Sequence, residues 1–168
     1  MAEKAWPVTS TDRYIMSSRS LTAQERTLAS MMFGDAIRYE AVRIHVRKYF
    51  PFQSRRVTMA PDGHLWFHPH GDLYCDDFCD SPLILQSHFI HEMTHVWQAQ
   101  TKGRWYLPLM RHPWCRYEYE LVAGKPFARY GIEQQAEIVR HAFLYRNGVS
   151  PKGAGPHAIL EALLPFSA

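Results

Sequence analysis

The chain has 168 residues, of which 46% are apolar and 21% charged, and this length and composition predict one globular domain. Lysine and arginine exceed aspartate and glutamate by only 19 to 16 and are spread along the chain, so the charge does not indicate a nucleic-acid-binding protein. No run of about 18 apolar residues is present, so the sequence predicts no membrane-spanning helix.

The first 20 residues are polar and rich in serine and threonine, and we interpret them as a flexible lead-in to a single domain over residues 21–168. They contain no apolar stretch of the kind found in signal peptides, so we expect synthesis in the cytoplasm without a cleavable signal. Thr22 and Glu25 have the spacing of a capping box, which predicts that a helix begins there, and Gly34 is a natural end for it.

The segment after this helix has the patterns of β-strands. Residues 42–47 alternate between apolar and polar side chains, which predicts a strand with one buried face. Residues 56–59 and 65–67 flank the turn sequence Pro61-Asp62-Gly63, which predicts a hairpin. An acidic loop is expected over residues 69–82.

Two longer segments have helical spacing of their apolar residues, and they predict helices over residues 83–100 and 132–146. Residues 104–130 lie between them, are rich in aromatic side chains and contain three prolines. We expect a long loop there, with a short extended piece at Tyr117 to Leu121. A short helix is expected over His157 to Leu164. With the strands before them, these helices predict an α+β fold.

The sequence His91-Glu92-Met93-Thr94-His95 lies within the first of the two longer helices. Residues four apart lie on one helical face, so both imidazoles can bind one ion, and zinc accepts imidazole nitrogen at about 2.0–2.1 Å. Glu92 is turned about 100° from His91, where it can reach a water on the metal as a general base. By composition, a chance H-E-x-x-H is expected in only about 3 of 100 such chains. We therefore predict a zincin-like metallopeptidase site.

A catalytic zinc needs a third protein ligand and keeps one position for water. No histidine follows soon after His95, which excludes the metzincin pattern. The second long helix offers Glu133 and Glu137, one turn apart and on one face. Because Glu133 lies at the helix start, we predict that it is the ligand. Glu137 would then accept a ring N–H from a liganding histidine, and it is also the alternative ligand.

Other polar residues are less specific signals. A developing oxyanion needs a donor opposite the zinc, and the sequence leaves five candidates open. These are Tyr117, Tyr119, Tyr130, His112 and His141. The cysteines number three, which does not indicate a disulfide framework. Cys75 and Cys79 lie near several histidines, but their spacing is a poor match to a structural zinc site, so we interpret them as loop residues.

Two of these motifs together carry a family resemblance. His91 to Gln98, HEMTHVWQ, and residues 131–139, GIEQQAEIV, resemble the compact zinc metallopeptidase domains associated with bacterial type VI secretion spike (VgrG) proteins. Residues 117–127, YEYELVAGKPF, and 33–37, FGDAI, are also similar. The resemblance implies a gluzincin-like fold with one zinc ion per chain, bound by His91, His95 and Glu133.

The same resemblance implies an antibacterial effector that hydrolyses amide bonds in protein or in the peptide part of peptidoglycan. A type VI secretion system would carry it to the target-cell periplasm, and the implied partners are a secretion spike and an immunity protein. One alternative is a non-catalytic, zinc-stabilised binding or adaptor module of a secretion system, which the intact Glu92 argues against. A second is a nucleic-acid-binding domain, which only the slight basic excess suggests.

Overall fold

The computed structural model describes residues 18–110 and 115–166 of the chain. Those residues form five α-helices and a three-stranded sheet, so the α+β prediction is confirmed. The helices are α1 (Ala23–Phe33), α2 (Leu83–Lys102), α3 (Tyr106–Met110), α4 (Ile132–Arg146) and α5 (His157–Leu163). Within the described part of the chain, none of these helices has the length and apolarity needed to cross a bilayer.

The sheet contains β1 (Ser18–Ser20), β2 (Arg43–Val46) and β3 (Leu65–Phe67), in that spatial order. β1 pairs antiparallel with β2, and β2 pairs parallel with β3. The predicted half-buried strand is confirmed in β2, where Ile44 and Val46 are buried and Arg43 is exposed. The buried face of the sheet contributes to one apolar core cluster, which extends from Leu21 to Leu160.

The predicted two-stranded hairpin is reduced to a single antiparallel bridge between Met59 and Trp66, and β3 pairs instead with β2. The reason lies in the turn before Met59, where the Val57 amide donates to the Ser54 carbonyl. The side-chain amide of Gln53 donates to the carbonyls of Val57 and Trp66 at 2.9 and 3.0 Å. The Trp66 carbonyl also accepts from the Met59 amide in the bridge, whereas the Val57 carbonyl is engaged by Gln53 instead of by a strand partner, and the ladder stops at the Met59–Trp66 pair.

Ser18–Ser20 were placed by the sequence in the flexible lead-in, but they form the edge strand β1. Residues 1–17 lie outside the described residues. The predicted capping box at α1 is confirmed, since Thr22 and Glu25 each accept from the other's backbone amide. β1 and α1 are therefore ordered together at the start of the domain.

Glu25 is fully buried and joins three parts of the chain. Both of its oxygens accept from the Arg19 guanidinium at 2.8 Å, and Oε1 also accepts from the Phe78 amide at 3.2 Å. A buried carboxylate is tolerated only when its oxygens are paired in this way. Glu25 thereby ties β1 and the acidic loop to α1.

We expect Glu25→Gln to lower the free energy of unfolding by about 3 kcal/mol, because it leaves Arg19 without its buried counter-charge. Glu40→Gln is the matched control, since Glu40 is 78% exposed and pairs with Arg26 at 3.5 Å. That change should cost less than about 1 kcal/mol. Urea unfolding of both variants measures the difference, and equal losses would contradict the structural role of Glu25.

The predicted helices over 83–100 and 132–146 are observed as α2 and α4, which pack against each other. α2 buries apolar residues on one side and polar residues on the other. The buried polar residues of α2 are Ser87, His91, Glu92, Thr94, His95 and Gln98. Since a buried polar face must be satisfied by partners, the α2–α4 interface is where the chain places its chemistry.

The predicted loop over 104–130 contains the short helix α3 and a single 3-10 turn at Phe127–Arg129. Pro108 does not prevent α3, because a proline in the first turn of a helix loses no backbone hydrogen bond. Residues 117–121, where an extended piece was expected, belong to no helix or strand in the described part of the chain. The acidic loop over 69–82 is confirmed as a loop with a 3-10 turn at Phe78–Asp80.

Candidate metal centre

His91 and His95 lie one turn apart on α2, on the face that packs against α4. Both are buried, with 5% and 3% of their surface exposed, and their ring centroids are 5.0 Å apart. The structure therefore brings the two imidazoles of the sequence motif together inside the protein.

Glu133, in the first turn of α4, places one oxygen between the two rings. Its Oε2 is 3.3 Å from His91 Nε2 and 3.1 Å from His95 Nε2. One ligand atom from each of the three residues lies within 4.8 Å of the other two. A tetrahedron with metal–ligand bonds of about 2.0–2.1 Å has edges of about 3.3 Å, so these separations match the donor spacing of a zinc site.

Gln98 fixes the orientation of His95. The Gln98 amide nitrogen donates to the carbonyl of Ile132 at 3.0 Å and to Gln135 Oε1 at 2.9 Å. Its Oε1 is therefore the acceptor in the 2.8 Å contact with His95 Nδ1, and that ring nitrogen carries the proton. The lone pair of His95 Nε2 then faces Glu133, as a metal-binding imidazole requires.

Glu137 lies close to the other ring nitrogen of His91. Its Oε1 is 2.8 Å from His91 Nδ1, while its other contacts are to Arg140 at 3.2 Å and His141 at 3.4 Å. Burial opposes the charged form of Glu137, but His91, Arg140 and His141 outweigh burial and lower its pKa to about 2. Glu137 is thus held as an anion beside the ring nitrogen that points away from Glu133.

His91 lies between two carboxylates. Burial alone would lower its pKa, but Glu133 and Glu137 outweigh it and raise the pKa to about 9, with a smaller contribution from the charge of Glu92. Three carboxylates therefore act on one buried imidazole. This concentration of negative charge is the electrostatic environment that a divalent cation would neutralise.

Glu92 is 5% exposed, and its Oε1 is 3.7 Å from His88 Nε2. Its Oε2 is buried and accepts no hydrogen bond from the residues that the structure describes. A buried carboxylate oxygen without a donor is costly unless something else in the site supplies one. With two imidazoles and a carboxylate at tetrahedral spacing beside it, the donor set fits a zinc ion and a water molecule.

The residues predicted as oxyanion donors differ in how close they lie to the candidate metal centre. The half-exposed ring of Tyr117 stacks on His91, with centroids 6.1 Å apart, at the rim of the site. Tyr119 contacts His141 Nδ1 at 2.7 Å and the carbonyl of Ala154, while Tyr130 accepts from the Val122 amide. Tyr117 and His141 therefore border the centre, whereas the hydroxyls of Tyr119 and Tyr130 are engaged with loop backbone. His112 lies outside the described residues.

Sequence reasoning missed the residues that support the centre. Gln98 and Gln135 hold His95, Arg140 holds Glu137, and His88 lies against Glu92. Gln98 follows His95 by three residues and Arg140 follows Glu137 by three. This same-face spacing is the signal that could have found them.

A narrow cavity of 190 Å³ opens beside His95 and Glu133. Its remaining walls are apolar or aromatic: Tyr49, Met59, Ala60, Pro61, Leu107, Pro108 and Ile132. A cavity of 240 Å³ lies across Ile132 and Glu133, and it shares Arg116 and Gln134 with a cleft of 1190 Å³ that reaches Glu137 and His141. The three spaces adjoin along the start of α4 and pass the metal centre.

The histidines and cysteines near residues 64–79 form no second centre within the described ranges, where the group of His91, His95 and Glu133 is the one that meets the donor spacing. Cys75, Cys79 and Cys115 form no disulfide with one another. Burial raises the pKa of Cys79 to about 12, and the neighbouring Asp77 adds to this shift. The Cys79 thiol is therefore protonated at neutral pH and poorly suited to bind a metal as a thiolate.

Comparison with known proteins gives relatives of one kind. No protein-family model matches the chain. The type VI secretion system spike protein VgrG2b of Pseudomonas aeruginosa is 40% identical over 138 residues, which are 78% of this chain and 13% of that protein. The solved effector domain of Pseudomonas aeruginosa VgrG2b superposes with a TM-score of 0.69 and 34% identity, covering 88% of this chain and 84% of the domain. The chain thus spans about an eighth of the curated spike protein but most of its effector domain.

Proposed function

The chain belongs to the family of the VgrG2b effector domain, and from this premise we propose that it is a zinc-dependent peptidase of a type VI secretion effector. One observation carries the proposal. The Nε2 atoms of His91 and His95 lie 3.3 and 3.1 Å from a single oxygen of Glu133, inside the buried α2–α4 interface. A gluzincin-like ligand set of two histidines and one glutamate is the arrangement these distances support.

His91, His95 and Glu133 would hold the ion, while Glu137 and Gln98 keep the two imidazoles in the required tautomer. A bound zinc ion lowers the pKa of water and polarises the substrate carbonyl. Glu92 takes a proton from the attacking water as the new C–O bond forms. The C–N bond then breaks, and Glu92 returns that proton to the leaving nitrogen. The unpaired Oε2 of Glu92 is the atom that would carry the proton.

The 190 Å³ cavity beside His95 and Glu133 supports a protein substrate over a peptidoglycan peptide. Its walls are largely apolar, and a cavity of about 150 Å³ with such walls can hold a benzene ring. A large aliphatic or aromatic side chain next to the cleaved bond would therefore fit. The stem peptides of peptidoglycan consist of small and charged residues, which would leave this cavity unfilled.

We further propose that the chain acts in the target-cell periplasm and reaches it with a secretion spike. The support is the relative's identity as a type VI secretion spike protein that carries an effector domain. An immunity protein remains a prediction from the family resemblance.

The test is an assay of the purified chain on an unfolded protein and, in parallel, on peptidoglycan stem peptides. We expect cleavage of the protein, loss of cleavage on chelation and recovery on addition of zinc. Mass spectrometry of the products should show large apolar residues next to the cut bonds. Cleavage that survives complete removal of zinc would contradict a zinc peptidase, and exclusive cleavage of stem peptides would overturn the assigned substrate class.

Leu107→Ala provides a matched test of the cavity, because Leu107 lines it and is 4% exposed. Enlarging the cavity should shift cleavage from bonds next to medium-sized apolar residues towards bonds next to larger aromatic residues. Leu109→Ala is the control, since Leu109 lies on the same helix but is 81% exposed. Identical cleavage patterns in both variants would remove the cavity from the specificity argument.

A further inference from the structure

Residues 43–57, which we call the basic aromatic segment, concentrate the positive charge of the chain. They contain five lysines and arginines, and no aspartate or glutamate occurs between Glu40 and Asp62. The whole chain carries a net charge of +3, so the rest of the chain carries a net −2. The five cations are Arg43, Arg47, Lys48, Arg55 and Arg56.

These five cations are available to a partner. All five are exposed, and none forms an ion pair with a carboxylate among the residues that the structure describes. Arg47 rests over the ring of Trp66 at 4.9 Å, and the Lys48 ammonium donates to the Pro51 carbonyl at 3.2 Å. Their charges are therefore not neutralised within the described structure.

Aromatic side chains project from the middle of the same segment. Phe52 is 89% exposed, and Tyr49 and Phe50 are 42% and 41% exposed. A phenylalanine this exposed contributes nothing to the core, and several apolar side chains exposed together mark a surface for binding a partner or a membrane.

The segment holds these side chains outward through a defined backbone. Gln53 is 3% exposed and anchors the loop from inside. It accepts from the Tyr49 amide at 2.7 Å and donates to the carbonyls of Val57 and Trp66. Since both ends of the loop are tied to one buried side chain, binding of a partner through Phe52 loses little further backbone conformational entropy.

We propose that the basic aromatic segment docks the protein onto an anionic phospholipid bilayer, with Phe50 and Phe52 in the interfacial region and the five cations against lipid phosphates. In the sequence, the aromatic stretch at residues 49–52 lies between the cation pairs Arg47-Lys48 and Arg55-Arg56. Aromatic rings favour the boundary between acyl chains and headgroups, and cations favour the anionic headgroups. Tyr49 also lines the cavity beside His95 and Glu133, so docking would hold the metal centre close to the membrane. This inference does not depend on peptide hydrolysis.

A lipid surface fits these residues better than nucleic acid does. Base-specific recognition uses several hydrogen-bonding side chains, whereas the exposed tip at residues 49–52 consists of one tyrosine, two phenylalanines and a proline. Burying such a tip is favourable in the acyl–headgroup boundary, whereas a phosphate backbone would contact only the cations.

The test is flotation of the purified chain with vesicles of phosphatidylcholine alone and of equal parts phosphatidylcholine and phosphatidylglycerol. We expect binding to the anionic vesicles that weakens as salt is raised. Replacing both Arg55 and Arg56 by Gln should weaken binding by about 30-fold, since each cation near an anionic surface contributes about fivefold. Phe52→Ser should weaken it by about tenfold.

The matched controls carry the same changes at exposed positions outside the segment. They are the double variant Lys102→Gln with Arg129→Gln, and Leu109→Ser. Both should bind vesicles as the unchanged chain does. No binding to anionic vesicles, or equal losses in the controls, would overturn the proposal. Binding to a DNA duplex without binding to vesicles would assign the surface to nucleic acid instead.

Discussion

Replacing Glu92 by glutamine is expected to lower the hydrolytic rate by about 10²–10⁴-fold, because the change removes the proposed general base and keeps the size of the side chain. The variant should remain folded and should bind zinc, since Glu92 is not among the three residues at donor spacing. The measurements are kcat/KM on the unfolded-protein substrate, circular dichroism and metal content. A Glu92→Gln protein that hydrolyses at the original rate would remove Glu92 from the mechanism.

The same variant separates a catalytic effector from a binding module in cells. The unchanged chain, sent to the periplasm with an added signal peptide, should harm bacteria, and the chain kept in the cytoplasm should harm them much less. Glu92→Gln sent to the periplasm at equal level should be close to harmless. If it is as toxic as the unchanged chain, the harm does not come from hydrolysis, and the non-catalytic binding module becomes the better explanation.

The predictions that held were those based on local spacing. His91 and His95 are four residues apart in a helix, so the helical backbone alone places both rings on one face and close to each other. The capping box of Thr22 and Glu25 is equally local. Glu133 contacts both histidines and Glu137 contacts the other ring nitrogen of His91, and the assignment of Glu133 as the ligand stays a prediction.

The features that could not be predicted depend on contacts between distant residues. β1 has the sequence Ser-Arg-Ser, which has no apolar alternation, and it is held by pairing with β2 and by the ion pair of Arg19 with Glu25. β3 pairs in parallel with β2, and the expected hairpin stops at the Met59–Trp66 bridge, next to which the Gln53 side chain engages the Val57 carbonyl. The contacts of a single buried glutamine cannot be recognised in a sequence, so neither the mixed sheet nor its register could be predicted.

The support around the metal centre was hidden for the same reason. The three-residue spacing places Gln98 on the same helical face as His95, but its contacts with Ile132 and Gln135, which make its oxygen the acceptor for His95, depend on the tertiary structure. Those contacts join α2 to α4, so the orientation of His95 depends on how the two helices pack. The sequence motif predicts the positions of the proposed ligands, whereas the orientation of their side chains depends on the tertiary structure.

Removal of each proposed ligand should empty the zinc site in a graded order that the contacts predict. His91→Ala and His95→Ala should leave no zinc after dialysis, and Glu133→Ala should lower affinity far more than Glu137→Ala. Glu137 contacts His91 on the nitrogen away from Glu133, and loss of such an orienting carboxylate typically costs about 10–100-fold in affinity. Glu133 contributes a donor atom itself, and its loss leaves the ion with two protein ligands.

The measurement is zinc affinity by competition with a chromophoric chelator, with elemental analysis of each purified variant. Glu120→Ala is the control, because Glu120 is exposed and has no place in the donor cluster. Full zinc occupancy in both histidine variants would refute the metal centre. If Glu137→Ala loses the metal while Glu133→Ala retains it, the ligand lies one turn further along α4. In that case the 3.1 and 3.3 Å contacts of Glu133 would be hydrogen bonds that hold the histidines in place.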